Sequence, residues 1–228
     1  MNNEKYFNFP IQLLVGFMIN DNINTLNNIS YYSIYENSLK LEYGTELQKI
    51  KDSADYFVIN LGNAEIALKT GKMLYNSIPR NSPKVGLNTI IFWDFYKNDK
   101  TEFDKICLLA FLSIKSIIGS KPYHKATNTY LWSRMDGKTK TIVEVSELST
   151  EVRKFANRYQ TTKIINELVT NWHLIYYSFH LRGFVVSFKL SLDNLVFIVE
   201  KNKKSNKEQE QKNLIKEARI KALERLKS

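Results

Sequence analysis

The stretch from Ile106 to Ile118 restricts this chain more than any other, because it is apolar nearly all round, with Lys115 as its one charged residue. A helix without a polar face has to be enclosed by other elements. Thr101 and Asp104 precede it in the arrangement of a capping box, with Asp in place of the usual Glu, and Gly119 follows. Asp104 and Lys105 flank the run, which is well short of the ~20 apolar residues that a membrane span needs. It predicts a buried helix at the centre of the second half of the chain.

With 228 residues, 43% of them hydrophobic, the chain can bury a core as one larger domain or two small ones. Its single cysteine, Cys107, lies inside the apolar run and reads as a small buried hydrophobe, and one cysteine excludes an intrachain disulfide. Met1 to Lys5 lack a basic n-region, and the apolar residues that follow are broken by Pro10 and Gln12 with no small-residue cleavage site. The expectation is a soluble cytoplasmic protein that does not contact a membrane. Lys, Asn and Ile are abundant while Ala, Gly, Pro and Arg are scarce, the bias of an AT-rich coding sequence. That bias raises Lys without any role in binding, so the placement of charge says more than the net +10.

Pro10 suits the first turn of a helix through about Ile19. Asp21 or Asn22 can cap a second helix, with Ile23, Leu26, Ile29, Tyr32 and Tyr35 on one stripe. A third helix carries Leu47, Ile50, Ala54, Phe57 and Val58 inward, and Asn63 caps a fourth with Ala67, Gly71 and Leu74 on its face. These last two form a helical hairpin or a helix-turn-helix. Pro79 to Gly86 breaks the pattern and marks a boundary, and Asn88 to Trp93 reads as an extended segment or core connector. Beyond the central helix, Thr127 caps a short helix ending at Gly137. Helices are expected from Ser149 to Tyr159 and from Thr161 or Thr162 to Trp172, then a β-hairpin around Gly183, then a helix opened by Ser191. Residues 200–213 are all polar, forming a solvated helix or a linker, before Leu214, Ile215, Ala218 and Leu226 return at helical spacing. The fold class is thus mainly α with a β-hairpin. Its parts are a helical domain at 1–80, a second domain at 87–199 and a basic C-terminal helix or tail at 200–228.

Charge is unevenly spread. The first 80 residues carry seven basic and eight acidic side chains, whereas the last 28 carry ten Lys/Arg and four Glu. A neutral front and a basic end point to a polyanionic partner, most simply nucleic acid. Catalysis has no such support: His124, His173 and His180 lack metal-ligand spacing, and the eight glycines form no phosphate loop. No enzyme activity and no cofactor are expected.

The order helix, helix, β-hairpin over 149–159, 162–172 and 174–188 resembles the winged helix-turn-helix family, with the helices at 102–118 and 127–136 extending the match. The resemblance is one of pattern rather than of fingerprint residues. It implies that the helix starting near Thr161 is the recognition helix. Arg158, Thr161, Thr162, Lys163 and Asn166 would then face DNA, and Arg182 at the hairpin tip would act as the wing. The bland alternative is a helical pair on a structural hairpin.

Two further groups suit nucleic acid. Between Lys115 and Lys140, the cations Lys121, Lys125, Arg134 and Lys138 are interleaved with Tyr123, His124, Tyr130 and Trp132, as single-stranded or guide-RNA binding requires. The same aromatics equally serve as core anchors. In the tail, Lys203, Lys204 and Lys207 head a series of cations that either contacts phosphates, presents its apolar stripe to a partner or a second copy, or is simply solvated.

Two functions follow. One is a DNA-binding regulator or replication protein of a phage or mobile element. The other is an inhibitor of a ribonucleoprotein. In size, charge and lack of chemistry the chain resembles phage proteins of the anti-CRISPR class, which would block an RNA-guided nuclease or its guide RNA.

Overall fold

The computed structural model describes residues 4–18, 22–178 and 183–225. Strand β1 (Tyr6–Pro10) pairs antiparallel with β2 (Lys84–Asn88), setting Phe7 opposite Leu87 and Phe9 opposite Val85. All four are buried, and the residues between them, Asn8 and Gly86, point the other way, as the two-residue period of a strand demands. After Pro10 the chain makes only a 3-10 turn, Ile11–Leu14, rather than the expected helix, whose end at Ile19 lies outside the described residues.

Helices α1 (Asn22–Ser38), α2 (Glu46–Phe57) and α3 (Ala64–Ser77) pack together, although Asp21, one expected cap of α1, lies outside the described residues. Thr45 caps α2 by accepting from the Gln48 amide, and Asn63 caps α3 by accepting from Glu65 and Ile66. α1 and α3 approach so closely at Gly71 that a Cβ there would lie 2.6 Å from the Tyr31 carbonyl oxygen. Val58 is not inward. It closes α2 at φ 59° with its side chain 70% exposed.

Asn88 to Trp93 is not extended either. Asn88 accepts from the Ile90 amide and starts α4 (Thr89–Lys97), whose Phe92 packs against Phe7 in a tilted pair with ring centroids 4.5 Å apart. Tertiary packing and a cap outweigh the strand preference of Ile90 and Ile91.

The central helix α5 (Glu102–Ile118) forms as expected. Thr101 Oγ1 accepts from the Asp104 amide at 3.1 Å, and the Asp104 carboxylate accepts from the Thr101 amide at 3.0 Å. Ten of its residues are buried, and it touches elements from both halves of the chain, so one hydrophobic core runs from Phe7 to Val186.

Around α5 sit β3 (His124–Ala126), α6 (Asn128–Met135), α7 (Thr150–Arg153), α8 (Arg158–Asn171), β4 (Ile175–Tyr177) and β5 (Phe184–Ser187). The three strands form an antiparallel sheet in the order β3-β5-β4, with Lys125 opposite Val185 and Tyr176 opposite Val186. β3 was not expected. The helix read over 149–159 is only the single turn α7, and the chain restarts at Asn157, which caps α8.

The last element, α9 (Leu192–Arg225), is one continuous helix of 34 residues. Leu195 and Val199 pack with Val185, Tyr123 and Tyr177 on the sheet, whereas every side chain from Lys201 to Ile220 is exposed. The architecture is mainly helical with two small antiparallel sheets. Among the described residues, no helix is long and apolar enough to cross a membrane.

Candidate nucleic-acid interface

α8 divides cleanly into two faces. Ile164, Ile165 and Leu168 are buried, and the opposite side exposes Arg158, Tyr159, Thr162, Lys163 and Asn166 around a shallow depression of about 620 Å3. Arg158 and Lys163 have no carboxylate partner among the described residues, and the Lys163 ammonium lies 4.6 Å from the Phe103 ring centroid. The Thr162 hydroxyl donates to the Arg158 carbonyl at 2.9 Å.

Thr161 does not belong to this face. Its side chain is buried and its hydroxyl accepts from Trp132 Nε1 at 2.9 Å, tying α8 to α6. The reason is helical phase: with the cap at Asn157, Thr161 falls on the same stripe as Ile164 and Leu168. The same phase turns Tyr159, read as the end of the preceding helix, outward on α8, 75% exposed. The stripe of Ile164, Ile165 and Leu168, extended backwards, carried that information. Arg182, the expected wing residue, lies outside the described residues.

The basic stretch between Lys115 and Lys140 is split by the fold. Arg134 is buried: Nη2 donates to the Tyr130 hydroxyl at 2.9 Å, Nη1 donates to the Lys138 carbonyl at 3.3 Å, and the guanidinium sits over the Tyr130 ring. Lys138 donates to the Asp136 carboxylate and to the Glu147 carbonyl. Both cations therefore hold the 137–149 loop onto α6, Arg134 from a buried position and Lys138 from a half-buried one. Lys115 is likewise internal, donating to the Gly86 carbonyl at 3.1 Å between the Tyr6 and Phe111 rings, and burial holds its pKa below the usual lysine range.

Lys121 and Lys125, by contrast, are exposed at β3. Between them, burial and then the Lys121 charge hold His124 below its ordinary pKa. The fold brings Lys125 and Tyr123 beside α9, where Lys203 and Lys207 face them across a groove of about 530 Å3. Asn202 Nδ2 donates to the Tyr123 hydroxyl at 3.1 Å, fixing the ring at the groove wall. Lys204 is exposed and lies outside the groove lining.

Among the described residues, no group of His, Cys, Asp and Glu is arranged to hold a metal ion. Cys107 is buried, and burial pushes its thiol up to about 12, far from thiolate chemistry. No protein-family model matches this chain, and no curated protein or solved structure is significantly similar to it.

Proposed function

We propose that the chain is a non-enzymatic DNA-binding protein, a regulator or replication protein of a phage or mobile element, in which α8 enters the major groove. The observation that carries this reading is the third strand. With β3 between α5 and α6 and paired to β5, the order is helix, strand, helix, helix, hairpin, and the sheet order is β3-β5-β4. Apart from the single turn α7 between the two helices, that order resembles a winged helix-turn-helix, in which α6 and α8 would be the helical pair and β4–β5 the wing. Residues 137–157, including α7, lengthen the connection between α6 and α8 beyond a simple turn.

The exposed face of α8 supports the same reading. Arg158 stands at the helix N-terminus, where a phosphate is favoured by both its charge and the helix dipole. Lys163 and Asn166 lie about one and two turns further along that face, with the groups that read guanine and adenine edges. Tyr159 offers a ring for backbone or base contact.

The test is selection of preferred duplexes from a random pool, followed by anisotropy titrations. Asn166→Ala is expected to weaken binding to the selected duplex by about 1–3 kcal/mol while leaving random duplex unaffected. Failure to enrich any sequence, or equal loss on both duplexes, would remove α8 as the reading helix.

A further inference from the structure

The groove between β3 and α9 shares no lining residue with the outer face of α8. We infer that it is a separate binding site for single-stranded nucleic acid. Its ligand is a short run of nucleotides that rests its bases on the apolar floor and its phosphates on the lysines at the rim.

Three features point to that ligand. The floor is Val185 and Val199, both largely buried, beside the half-buried Tyr123, an apolar lining that suits the faces of unpaired bases. The rim carries cations from two elements distant in sequence, Lys125 on one side and Lys203 with Lys207, one helical turn apart, on the other. Among the described residues, Lys125 and Lys207 have no carboxylate partner, and Lys203 makes only an exposed pair with Glu200 at 3.7 Å. Finally, Asn206 and Asn202, the latter already donating to Tyr123, line the same wall with amide groups able to meet base edges, and among the described residues Glu210 is the only acid in the lining. Stacked bases beside a line of cations are the chemistry of sequence-tolerant single-strand binding. A paired duplex, whose base faces are covered, has no use for the apolar floor.

The first turns of α9 seat Leu195 and Val199 on the sheet, and this anchoring sets Lys203 and Lys207 against β3.

The experiment uses the full chain and anisotropy of a labelled oligo(dT) of about 12 nucleotides, with a duplex as the second arm. Wild type is expected to bind oligo(dT) at low salt. The triple variant Lys125→Gln/Lys203→Gln/Lys207→Gln should lose at least about tenfold in oligo(dT) affinity, and the slope of log affinity against log salt should fall by about 2. Tyr123→Leu, which keeps the packing but not the aromatic face, should lose about fivefold or more, the low end for one stacked base. Duplex binding by these variants should stay within about threefold of wild type, with unchanged thermal melting to show that they are folded. Conversely, Arg158→Ala/Lys163→Ala should keep oligo(dT) binding whatever happens to its duplex binding, which separates this site from the α8 reading. The inference is overturned if wild type does not bind oligo(dT), if the triple variant binds it as well as wild type, or if poly-glutamate displaces it as effectively as unlabelled oligo(dT), which would make the groove a site for acidic polypeptide.

Discussion

Arg134 and Lys138 near α6 and Arg158 and Lys163 on α8 look alike in the sequence, two pairs of cations close to aromatic residues. The fold treats them in opposite ways. Arg134 is enclosed with its guanidinium bonded to Tyr130 and to the Lys138 carbonyl, and Lys138 is bonded to Asp136 and Glu147. Arg158 and Lys163 stand exposed on the outer face of α8, and no carboxylate among the described residues neutralises them. A cation whose donors are already used inside the protein contributes to stability, and one whose donors face water is available to a phosphate. Charge alone does not separate these cases; the partners do.

The two pairs of cations should differ most in what they contribute to stability. Arg134→Ala strips the Tyr130 hydroxyl and the Lys138 carbonyl of a buried partner and leaves a void, so it is expected to cost about 3 kcal/mol in urea denaturation. Arg158→Ala, which removes no internal bond of its side chain, should stay within about 0.5 kcal/mol of wild type in the same assay. If the two cost the same, the division between internal and free cations is wrong.

A smaller effect distinguishes neighbours on α8. Thr161→Val orphans the Trp132 indole N–H and should cost about 1–2 kcal/mol, with the indole fluorescence shifted, while Thr162→Val should cost less than about 0.5 kcal/mol. Equal losses would place the helix in a different phase. Next, Tyr159→Ala should leave urea stability within about 0.5 kcal/mol and weaken duplex binding, whereas a core tyrosine would show the reverse.

The smallest effect is that of pH. His124 titrates below its ordinary 6.5 in the folded chain because burial and Lys121 disfavour the imidazolium. The unfolded chain therefore takes up its proton first. Stability from this group is complete above pH 6.5 and declines as pH falls through 6.5 towards the folded value. His124→Gln should flatten that part of the stability profile, and an unchanged profile would show that the imidazole is fully solvated.

Much of the local structure was legible because it is written in caps and periods. Asn63, Thr101 and Thr127 cap the helices that the sequence assigned them, and the apolar run of α5 forms the centre of the core. What failed depended on contacts distant in sequence. β3 is three residues long in a polar setting, and it is a strand because β5 supplies its hydrogen bonds. Likewise, β1 needs β2, some 70 residues away, and α4 is helical because Phe92 finds Phe7.

The candidate site was legible in composition but not in arrangement. Arg158, Thr162, Lys163 and Asn166 do share one exposed face, whereas Thr161 and Arg134 are buried and the half-buried Lys138 is bonded to Asp136 and the Glu147 carbonyl. That Tyr123 and Lys125 meet Lys203 and Lys207 across one groove required the fold, since some 80 residues separate them.

Duplex binding by the outer face of α8 is tested most directly by anisotropy of a selected duplex with wild type and Arg158→Ala/Lys163→Ala at low and near-physiological salt. Wild type is expected to bind tightly and with strong salt dependence, and the variant to lose about 30-fold or more with the salt slope reduced by about 2 and thermal stability unchanged. Wild-type binding that survives both substitutions intact, or no duplex binding by the wild type at low salt, would contradict it.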